Sequence, residues 1–386
     1  MTNSFNVSFI SSIENIDATE WSKLIDTDYP FIQQGFLLAL EESGATSAET
    51  GWQPSHLIIK QDRQLTGFVP LYIKSHSYGE YVFDFQWADA YHQSGINYYP
   101  KLVTAIPYTP ATGERFYFEH LISRNESLKK NIYSNINQAI QQLSNEQSIS
   151  SWHILFPTKY ESDNLVDSGL MQREGVQYHW FNKDYQNFDD FLAGCKLKQR
   201  KNIKRERRSI TEQGIDIRIL EGNEITTDLW KHFYLFYQMT YSKRSGHGGY
   251  LNQDFFDLIG QYIPNSIVMM VASIDDKIVA ASLSFKDSKN LYGRYWGCLQ
   301  EFDFLHFELC YYQGIEYCIQ NKLEKFDAGA QGEHKIQRGF EPIKIYSNHW
   351  IAYPDFSRAI QDFVKREAVI VEENIEVLKG KLPFKK

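Results

Sequence analysis

The sequence predicts an α/β (α+β) protein of two successive domains, each with a mixed, mainly antiparallel sheet flanked by helices. Its 386 residues exceed what one hydrophobic core usually supports, so two domains are expected. A similar order of elements recurs in both halves: a strand, a pair of helices, a hairpin, a helix and a strand. We place the boundary where a tyrosine-rich strand gives way to "NFDDFL", which divides the chain into 1–185 and 186–386.

The first half combines period-two and helical hydrophobic patterns. Its predicted extended segments are "FNVSFISS" (5–12), the hairpin "HLIIKQDRQLTGFVPLYIK" (56–74), "SWHILFP" (151–157) and "GLMQREGVQYHWFNKDY" (169–185). Its predicted helices are "ATEWSKLI" (18–25), "FIQQGFLLALEESG" (31–44) and residues 126–143. The aromatic stretch 78–118 contains so many turn residues that no element is assigned to it.

The second half begins with a basic helical pattern at 188–214 and ends with a charged amphipathic helix that runs to about Gly380. Its predicted strands are "IDIRIL" (215–220), three antiparallel strands within 266–298, "KFDAGA" (325–330) and "YSNHWIAY" (346–353). The other predicted helices are 228–243, 252–263 and 304–321. This half therefore carries both the basic entry helix and the C-terminal helix.

The composition is that of an ordinary globular protein in a reducing compartment. A net charge of −8 argues against a general polyanion binder, although a local basic patch is compatible with it. None of the 4 cysteines lies in a C-x-x-C pair, so a zinc ribbon or a thioredoxin-like site has no support. The N-terminal residues lack a basic start followed by an apolar run, and no apolar stretch approaches roughly 18 residues. We expect a cytoplasmic protein with no integral membrane segment.

A dense basic run stands out in this acidic chain. Between Lys196 and Arg208 there are 8 lysines and arginines, opposed by Glu206. On a helix, positions 196, 200, 204 and 208 share one face. Such a run suits contacts with phosphate or RNA, and a plain solvated helix face is the alternative. The candidate phosphate contacts are Lys201, Lys204, Arg205 and Arg208.

Three segments of the second half resemble the GNAT acyltransferase fold, and more narrowly its Fem-like branch with two such domains in tandem. They are "FLAGCKLKQRKNIKRERRSITEQGIDIRIL", "VASIDDKIVAASLSFKDSKNLYGRYWG" and "KFDAGAQGEHKIQRGFEP". Further segments, among them "FDFQWADAYHQSGINYYPKL", "IPYTPATGERF" and "RSGHGGYL", are similar to bacterial proteins grouped as predicted FemAB-like N-acyltransferases. The resemblance covers nearly the whole chain. It implies a tandem GNAT fold and the transfer of an acyl group to an amine.

The expected acyl donor follows from a motif that the sequence lacks. GNAT enzymes that use acetyl-CoA hold its pyrophosphate in a glycine-rich loop before a helix. The equivalent link here, "CLQEFDF" (298–304), has no glycine and carries Glu301 and Asp303, which would repel a pyrophosphate. The resemblance then favours aminoacyl-tRNA, the donor of well-known Fem proteins, with no cofactor required.

Two alternatives stay open at this point. The same fold would serve an acyl-CoA-dependent N-acyltransferase whose donor loop is unfamiliar, or a non-catalytic GNAT-like binding module. The acceptor amine is equally open, since a peptidoglycan precursor, a free amino compound and a protein amine all fit. The sequence does not determine the oligomeric state.

The segment "FDAGAQGEHKIQRGF" (326–340) crowds charged residues among glycines at the end of a strand, where α/β sites tend to lie. For acyl transfer to an amine, Asp327 and His334 are the candidate bases. Lys335 and Arg338 are the candidate contacts with an oxyanion or an anionic substrate group. A hydrogen-bonded polar turn is the alternative.

Two nearby segments add candidates. Arg294 interrupts an apolar strand, so it needs an anionic partner. We predict Glu308 as that partner, and we include both residues among the catalytic candidates. The glycine-rich link "YSKRSGHGGY" (241–250) offers Arg244 and His247 as substrate contacts on a mobile lid, or it is a plain connection between two helices.

The first half supplies the predicted acceptor pocket, for which an aromatic core is the alternative. The pocket residues are Trp87, Asp89, Tyr91, His92 and Lys101, and the candidates from "TPATGERF" are Thr109 and Arg115. No third ligand at metal spacing accompanies the Asp–His pair, so no metal site is predicted. No G-x-S-x-G elbow indicates a serine hydrolase.

Overall fold

The computed structural model describes residues 5–246 and 248–385. The strands, in chain order, are β1 Asn6–Ile10, β2 Trp52–Pro54, β3 His56–Gln61, β4 Gln64–Val69, β5 Tyr72–Lys74, β6 Lys101–Thr104, β7 Tyr117–Phe118, β8 Ser151–Leu155, β9 Met171–Phe181, β10 Asp216–Glu221, β11 Ile267–Ile274, β12 Lys277–Lys286, β13 Asn290–Cys298, β14 Lys325–Asp327 and β15 Glu341–Ile351. The α-helices are α1 Ala18–Leu24, α2 Gln34–Glu42, α3 Phe85–Gln93, α4 His120–Ser123, α5 Glu126–Gln147, α6 Lys159–Asp167, α7 Phe188–Gly194, α8 Leu197–Glu212, α9 Thr227–Ser245, α10 Gln253–Tyr262, α11 Leu305–Phe307, α12 Gln313–Gln320 and α13 Pro354–Lys379. The predicted α/β class is confirmed.

The described chain divides into two compact units. Unit 1 takes the residues up to Thr27, then Phe31–Gly175 and Lys344–Glu373, and unit 2 takes Asp28–Pro30, Val176–Ile343 and the residues from Asn374 onward. The division therefore falls inside β9, β15 and α13, whereas the sequence pattern places one boundary at residues 185/186. The segment Lys344–Glu373 lies in unit 1 because its strand extends that unit's sheet, which the pattern of the second half does not reveal.

Unit 1 contains two sheets. One has the order β1-β3-β4-β7 with antiparallel pairs, and in the other β15 pairs antiparallel with β8, β8 runs parallel to β6, and β6, β5 and β2 follow as antiparallel neighbours. One side of helix α5 packs in the hydrophobic core of unit 1, since Ile132, Ile136 and Ile140 recur at helical spacing and are at most 1% exposed. The stretch 78–118, which has no assigned element in the sequence analysis, contains α3, β6 and β7.

Unit 2 contains an antiparallel series β10-β11-β12-β13, after which β14 pairs parallel to β13 and β9 pairs antiparallel to β14. The predicted basic helix 188–214 is two helices, because Cys195 adopts extended backbone angles between α7 and α8. The predicted strand 325–330 ends at Asp327, and the residues after it form a loop. Among the described helices, none is long and apolar enough to cross a membrane.

The packing of α9 on β13 leads to a stability prediction. A Cβ atom placed on Gly297 would lie 2.1 Å from the carbonyl oxygen of Phe236 in α9. Because that neighbour is backbone, the helix has to move, and we expect Gly297→Ala to destabilise the protein by about 1–3 kcal/mol. Gly194→Ala is the matched control, since nothing lies within 4 Å of its added Cβ. Equal urea midpoints for the two variants would contradict this packing.

Candidate functional site

The candidate site lies in unit 2, where two neighbouring parallel strands stop pairing. β13 and β14 are in register from Asn290 opposite Lys325 to Tyr292 opposite Asp327, and β14 ends there. At the same level β13 bulges against β12, and Arg294 is the extra residue of the bulge. Bulges re-aim side chains and are common beside active sites. The end of β14 and this bulge therefore define the place where charged groups meet.

Arg294 and Asp327 form a buried, bidentate ion pair. Nη1 of Arg294 lies 3.2 Å from Oδ1 of Asp327 and Nη2 lies 2.9 Å from Oδ2. The side chains are 2% and 1% exposed. Burial alone would raise the pKa of Asp327, but the Arg294 guanidinium and then His179 hold it well below its usual range. Asp327 is thus ionised and paired with Arg294. This pairing disfavours the predicted use of Asp327 as a base.

The predicted pairing of Arg294 with Glu308 is wrong. Oε1 of Glu308 accepts from Nε of Arg207 at 3.0 Å and from the amide nitrogen of Gln313 at 2.7 Å. Burial raises the pKa of Glu308, and Arg207 opposes that shift. Arg294 does have the anionic partner that the sequence predicts. That partner is Asp327 of β14, because the bulge turns the guanidinium toward that strand.

His179 is a neighbour of this pair that the sequence analysis missed. It stands directly opposite Asp327 on β9, and its Nε2 lies 3.7 Å from Oδ1 of Asp327 and 3.2 Å from Oε1 of Gln177. Burial lowers its pKa to about 4, so the ring is neutral near pH 7. The only available signal was a histidine in a predicted strand, because the pairing of β9 with β14 is not readable from sequence.

Lys335 is occupied by the loop that follows β14. Its ammonium donates to the carbonyl oxygens of Ala328 at 3.0 Å, Gly329 at 2.8 Å and Ala330 at 3.2 Å. The residue is 2% exposed, and burial lowers its pKa to about 8. A lysine ammonium has three hydrogens, and the three carbonyls use all of them. The predicted direct contact between Lys335 and a substrate anion is therefore absent from this geometry.

His334 is the exposed titratable group of the cluster. Its Nε2 lies 2.8 Å from the hydroxyl oxygen of Tyr311, and its ring packs 5.8 Å from Phe307 and 6.3 Å from His306. This packing removes water from one side of the ring and lowers the pKa of His334, and the charges of Arg338, Lys335 and Arg244 lower it further. A neutral, accessible imidazole is therefore available to accept a proton.

Arg338 is structural in this arrangement. Its guanidinium lies 3.5 Å from the centre of the Phe307 ring and donates to the carbonyl of His334 at 2.9 Å and to Oε2 of Glu206 at 3.0 Å. The residue is 6% exposed. The predicted contact with an anionic substrate group is thus replaced by an internal carboxylate, Glu206, which also accepts from the hydroxyl of Tyr312.

A π-helical turn at Glu308–Tyr312 separates α11 from α12. Such turns are rare and frequently occur at functional sites. This one directs Tyr311 to His334, Tyr312 to Glu206 and Glu308 to Arg207. The sequence predicts a continuous helix at 304–321, because a helical turn that is wider by one residue leaves the apolar pattern almost unchanged.

Helix α8 carries the predicted phosphate contacts. Lys204 pairs with Asp189 at 2.8 Å. Among the described residues, Lys201, Arg205 and Arg208 are exposed and have no acidic partner. A cavity of about 700 Å³ lies beside the helix, and the charged groups that line it are Lys204, Arg207, Arg208, Asp189, Asp216, Glu308 and Glu316.

Two further candidates belong to the predicted lid of unit 2. Arg244 is exposed near the end of α9, and its charge lowers the pKa of His334 and of His306. His247 lies outside the described residues. The structure therefore associates Arg244 with the histidine cluster and says nothing about the second residue of the predicted lid.

In unit 1, Lys101 is the centre of a buried polar cluster. It is 0% exposed, and its ammonium donates to Ser77 at 2.8 Å, to Glu80 at 2.8 Å and to Asp84 at 2.5 Å. Burial raises the pKa of Glu80 to about 7. For Asp84, burial is outweighed by Lys101, and the pKa is lowered. The hydroxyl of Tyr98 donates to Asp84 at 2.6 Å, so Lys101 is engaged inside the unit.

The predicted acceptor pocket is divided between two sides of α3. Trp87 and Tyr91 are buried in a core with α13, and the Trp87 ring lies 4.9 Å from that of His349. Asp89 and His92 are exposed on the opposite side. The five predicted residues therefore do not form one pocket, because the helical period separates residues two apart in sequence.

The two candidates from "TPATGERF", Thr109 and Arg115, are internal groups. The guanidinium of Arg115, which is 0% exposed, donates to the carbonyls of Ala111, Gly113, Glu114 and Leu155. Thr109 is buried and donates to the carbonyl of Pro107 at 3.0 Å. Neither side chain is free for a phosphate. Among the described residues, no group of three His, Cys, Asp or Glu side chains could hold a metal ion.

Known proteins resemble this chain in sequence and in fold. The sequence matches the FemAB-like family, described as peptidoglycan biosynthesis/recognition, over residues 12–386. The fold is similar to that of FemX, with a TM-score of 0.52, 12% identity and coverage of 92% of this chain and 100% of that chain. A conserved protein of unknown function from Bacteroides thetaiotaomicron gives a TM-score of 0.51 at 9% identity, over 89% of this chain and 99% of that one.

A tandem GNAT protein from the clavulanic acid biosynthesis pathway is also similar, with a TM-score of 0.46 and 7% identity over 91% of this chain and 99% of that chain. No curated protein matches the sequence. The tandem GNAT fold defines a class of acyl- and aminoacyltransferases, as predicted. Within that class, the chain belongs to the FemAB-like family.

Proposed function

We propose that this protein transfers an aminoacyl group from aminoacyl-tRNA to an amine acceptor, and that the acceptor is a peptidoglycan precursor in the cytoplasm. The family description, peptidoglycan biosynthesis/recognition, supports the acceptor.

The observation that supports aminoacyl-tRNA as the donor is the exposed positive charge of α8. The chain has a net charge of −8, yet Lys201, Arg205 and Arg208 are exposed and have no acidic partner among the described residues. Helix α8 also reaches the histidine cluster, because Glu206 pairs with Arg338. Phosphate groups bind such a surface by releasing counterions. The short link "CLQEFDF", with Glu301 and Asp303, disfavours a CoA pyrophosphate at the start of α11.

The proposed chemistry uses His334 as the base. The acceptor amine attacks the carbonyl carbon of the aminoacyl ester, a C–N bond forms, and the amine proton passes to the neutral imidazole. The C–O bond to the terminal ribose then breaks, and the ribose oxygen takes the proton back from the imidazolium of His334. The ion pair of Arg294 with Asp327 holds the start of the loop that follows β14, because Oδ1 of Asp327 also accepts from the N–H of Gly329.

The test measures binding of a pool of charged tRNA by fluorescence anisotropy at several salt concentrations. We expect the triple variant Lys201→Glu, Arg205→Glu, Arg208→Glu to bind charged tRNA more weakly and to reduce the slope of log K against log salt by about 2–3. The control reverses the charge of three exposed lysines elsewhere in unit 2, namely Lys231, Lys277 and Lys322.

Native mass spectrometry with acyl-CoAs and with charged tRNA distinguishes the donors. Retention of an acyl-CoA and indifference to tRNA would overturn the donor proposal and favour an acyl-CoA-dependent N-acyltransferase. Tight binding of charged tRNA with no product from any amine would instead favour a non-catalytic binding module.

A further inference from the structure

The loop after β14 has its carbonyl groups turned inward. The oxygens of Ala328, Gly329 and Ala330 all meet the ammonium of Lys335, at 3.0, 2.8 and 3.2 Å. A peptide group is planar, and its N–H points away from the carbonyl oxygen. Collecting these carbonyls at one buried cation therefore directs the N–H groups of the same peptides, which belong to Gly329, Ala330 and Gln331, to the opposite side of the loop.

The amides of this loop differ in what they contact. The N–H of Gly329 donates to Oδ1 of Asp327 at 2.8 Å. The N–H groups of Ala330, Gln331 and Gly332 have no acceptor among the described residues. Gln331 and Gly332 have positive φ angles of 55° and 103°. Successive amides in such turn conformations form concave sites that bind anions.

These free amides lie beside the proposed base. A Cβ atom placed on Gly332 would lie 2.8 Å from Cε1 of His334, so the imidazole packs directly against the loop. The loop is partly exposed, and His334 is exposed. An acyl group placed over the loop thus meets amide donors and a proton acceptor together, which is the geometry that acyl transfer requires.

We propose that the backbone amides of residues 330–332 form the oxyanion-binding site of the acyl transfer, and that Lys335 is the residue that positions the amides of Ala330 and Gln331. This inference rests on the proposed function. Its ligand is the negatively charged oxygen of a tetrahedral acyl intermediate, and a small inorganic oxyanion stands in for it.

The step balances as follows. The amine nitrogen forms a bond to the acyl carbon, and the carbonyl π pair moves to the oxygen, which becomes an oxyanion held by the amides. The amine gives its proton to His334. When the oxyanion pair returns to the carbon, the ester C–O bond breaks and the leaving oxygen takes the proton from the imidazolium of His334. Lys335 stays bound to the three carbonyls throughout and exchanges no proton.

The test titrates inorganic phosphate into the full-length protein and follows backbone amide resonances by NMR, with sodium chloride at equal ionic strength as reference. We expect saturable shifts of the amides of Ala330, Gln331 and Gly332. Lys335→Met is expected to abolish these shifts and to lower kcat by about 10²–10³-fold with little change in KM. Lys335→Arg, which keeps a cation under the carbonyls, is expected to restore part of both. Lys322→Met, an exposed lysine of the same unit, is the control.

The outcomes separate this inference from the proposed function. Turnover without phosphate-dependent shifts at 330–332 would overturn the oxyanion site and leave the proposed function standing. Shifts that survive in Lys335→Met would overturn the positioning role of the lysine. Saturable, Lys335-dependent shifts with no turnover from any donor would support the anion site and contradict the proposed function.

Discussion

Replacing His334 by alanine is expected to lower kcat for aminoacyl transfer by about 10²–10⁴-fold, the usual contribution of a general base. The side chain is exposed, so we expect the thermal midpoint to stay nearly unchanged. Turnover and thermal unfolding of the same preparation give both numbers. A large loss of stability with normal turnover per folded molecule would contradict the assignment.

The pH profile supplies a second test of His334. Because the pKa of His334 is lowered from its ordinary value of 6.5, the imidazole is deprotonated at neutral pH and loses its basic form only on acidification. We expect kcat/KM of the wild type to fall as the pH drops below that ordinary value. The residual activity of His334→Ala should lack this limb. Tyr311→Phe removes the hydroxyl that contacts Nε2 of His334 and should shift the limb without abolishing it.

Lys101→Met is expected to have the largest effect on stability, about 3–5 kcal/mol, because it leaves two buried carboxylates without their cation. Glu80 and Asp84 are each 4% exposed and share the Lys101 ammonium. Urea unfolding measures the loss. Lys130→Met, an exposed lysine of unit 1, is the control. Comparable urea midpoints for the two variants would contradict the role of the cluster.

The pH dependence of this variant has a definite sign. Without Lys101, burial raises the folded-state pKa values of Glu80 and Asp84 above their values in the unfolded chain. Each carboxyl then contributes to the free energy of unfolding below its unfolded pKa, and this contribution is lost as the pH rises through the folded-state pKa. In the wild type, the lowered pKa of Asp84 has the opposite effect: its contribution is present above 3.8 and is lost on acidification. The stability difference between variant and wild type should therefore narrow from pH 8 to pH 5.

The sequence predicted the composition of the site better than its contacts. Arg294 in an apolar strand required an anion, and a buried carboxylate does pair with it. The partner was misassigned because a bulge in β13 decides where the guanidinium points. Asp327, His334, Lys335 and Arg338 do lie together, yet only His334 is exposed. A glycine-rich sequence indicates a loop, but it does not reveal which carbonyl oxygens collect at a lysine.

Two features of the helices are not predicted from the sequence, and each arises from a local change in the backbone that involves one residue. The extended angles of Cys195 divide the predicted basic helix, and the π turn at Glu308–Tyr312 redirects three side chains within one predicted helix. Neither change disturbs the apolar period from which helices are predicted. Similarly, His153 reaches the Lys101 cluster through the pairing of β8 with β6, and Glu80 reaches it from the segment between β5 and α3. No local sequence pattern contains these contacts.

The two units differ at the end of their parallel strand pair. In unit 1, β6 runs parallel to β8, and the guanidinium of Arg115 binds the carbonyl of Leu155, where β8 ends. In unit 2, β13 runs parallel to β14, and the residues after β14 leave amides without an acceptor among the described residues. One copy of the duplicated fold thus satisfies its strand end with its own side chain. In unit 1 the carbonyl at the end of β8 is therefore already bonded within the unit, whereas in unit 2 the residues after β14 keep donors open to a ligand.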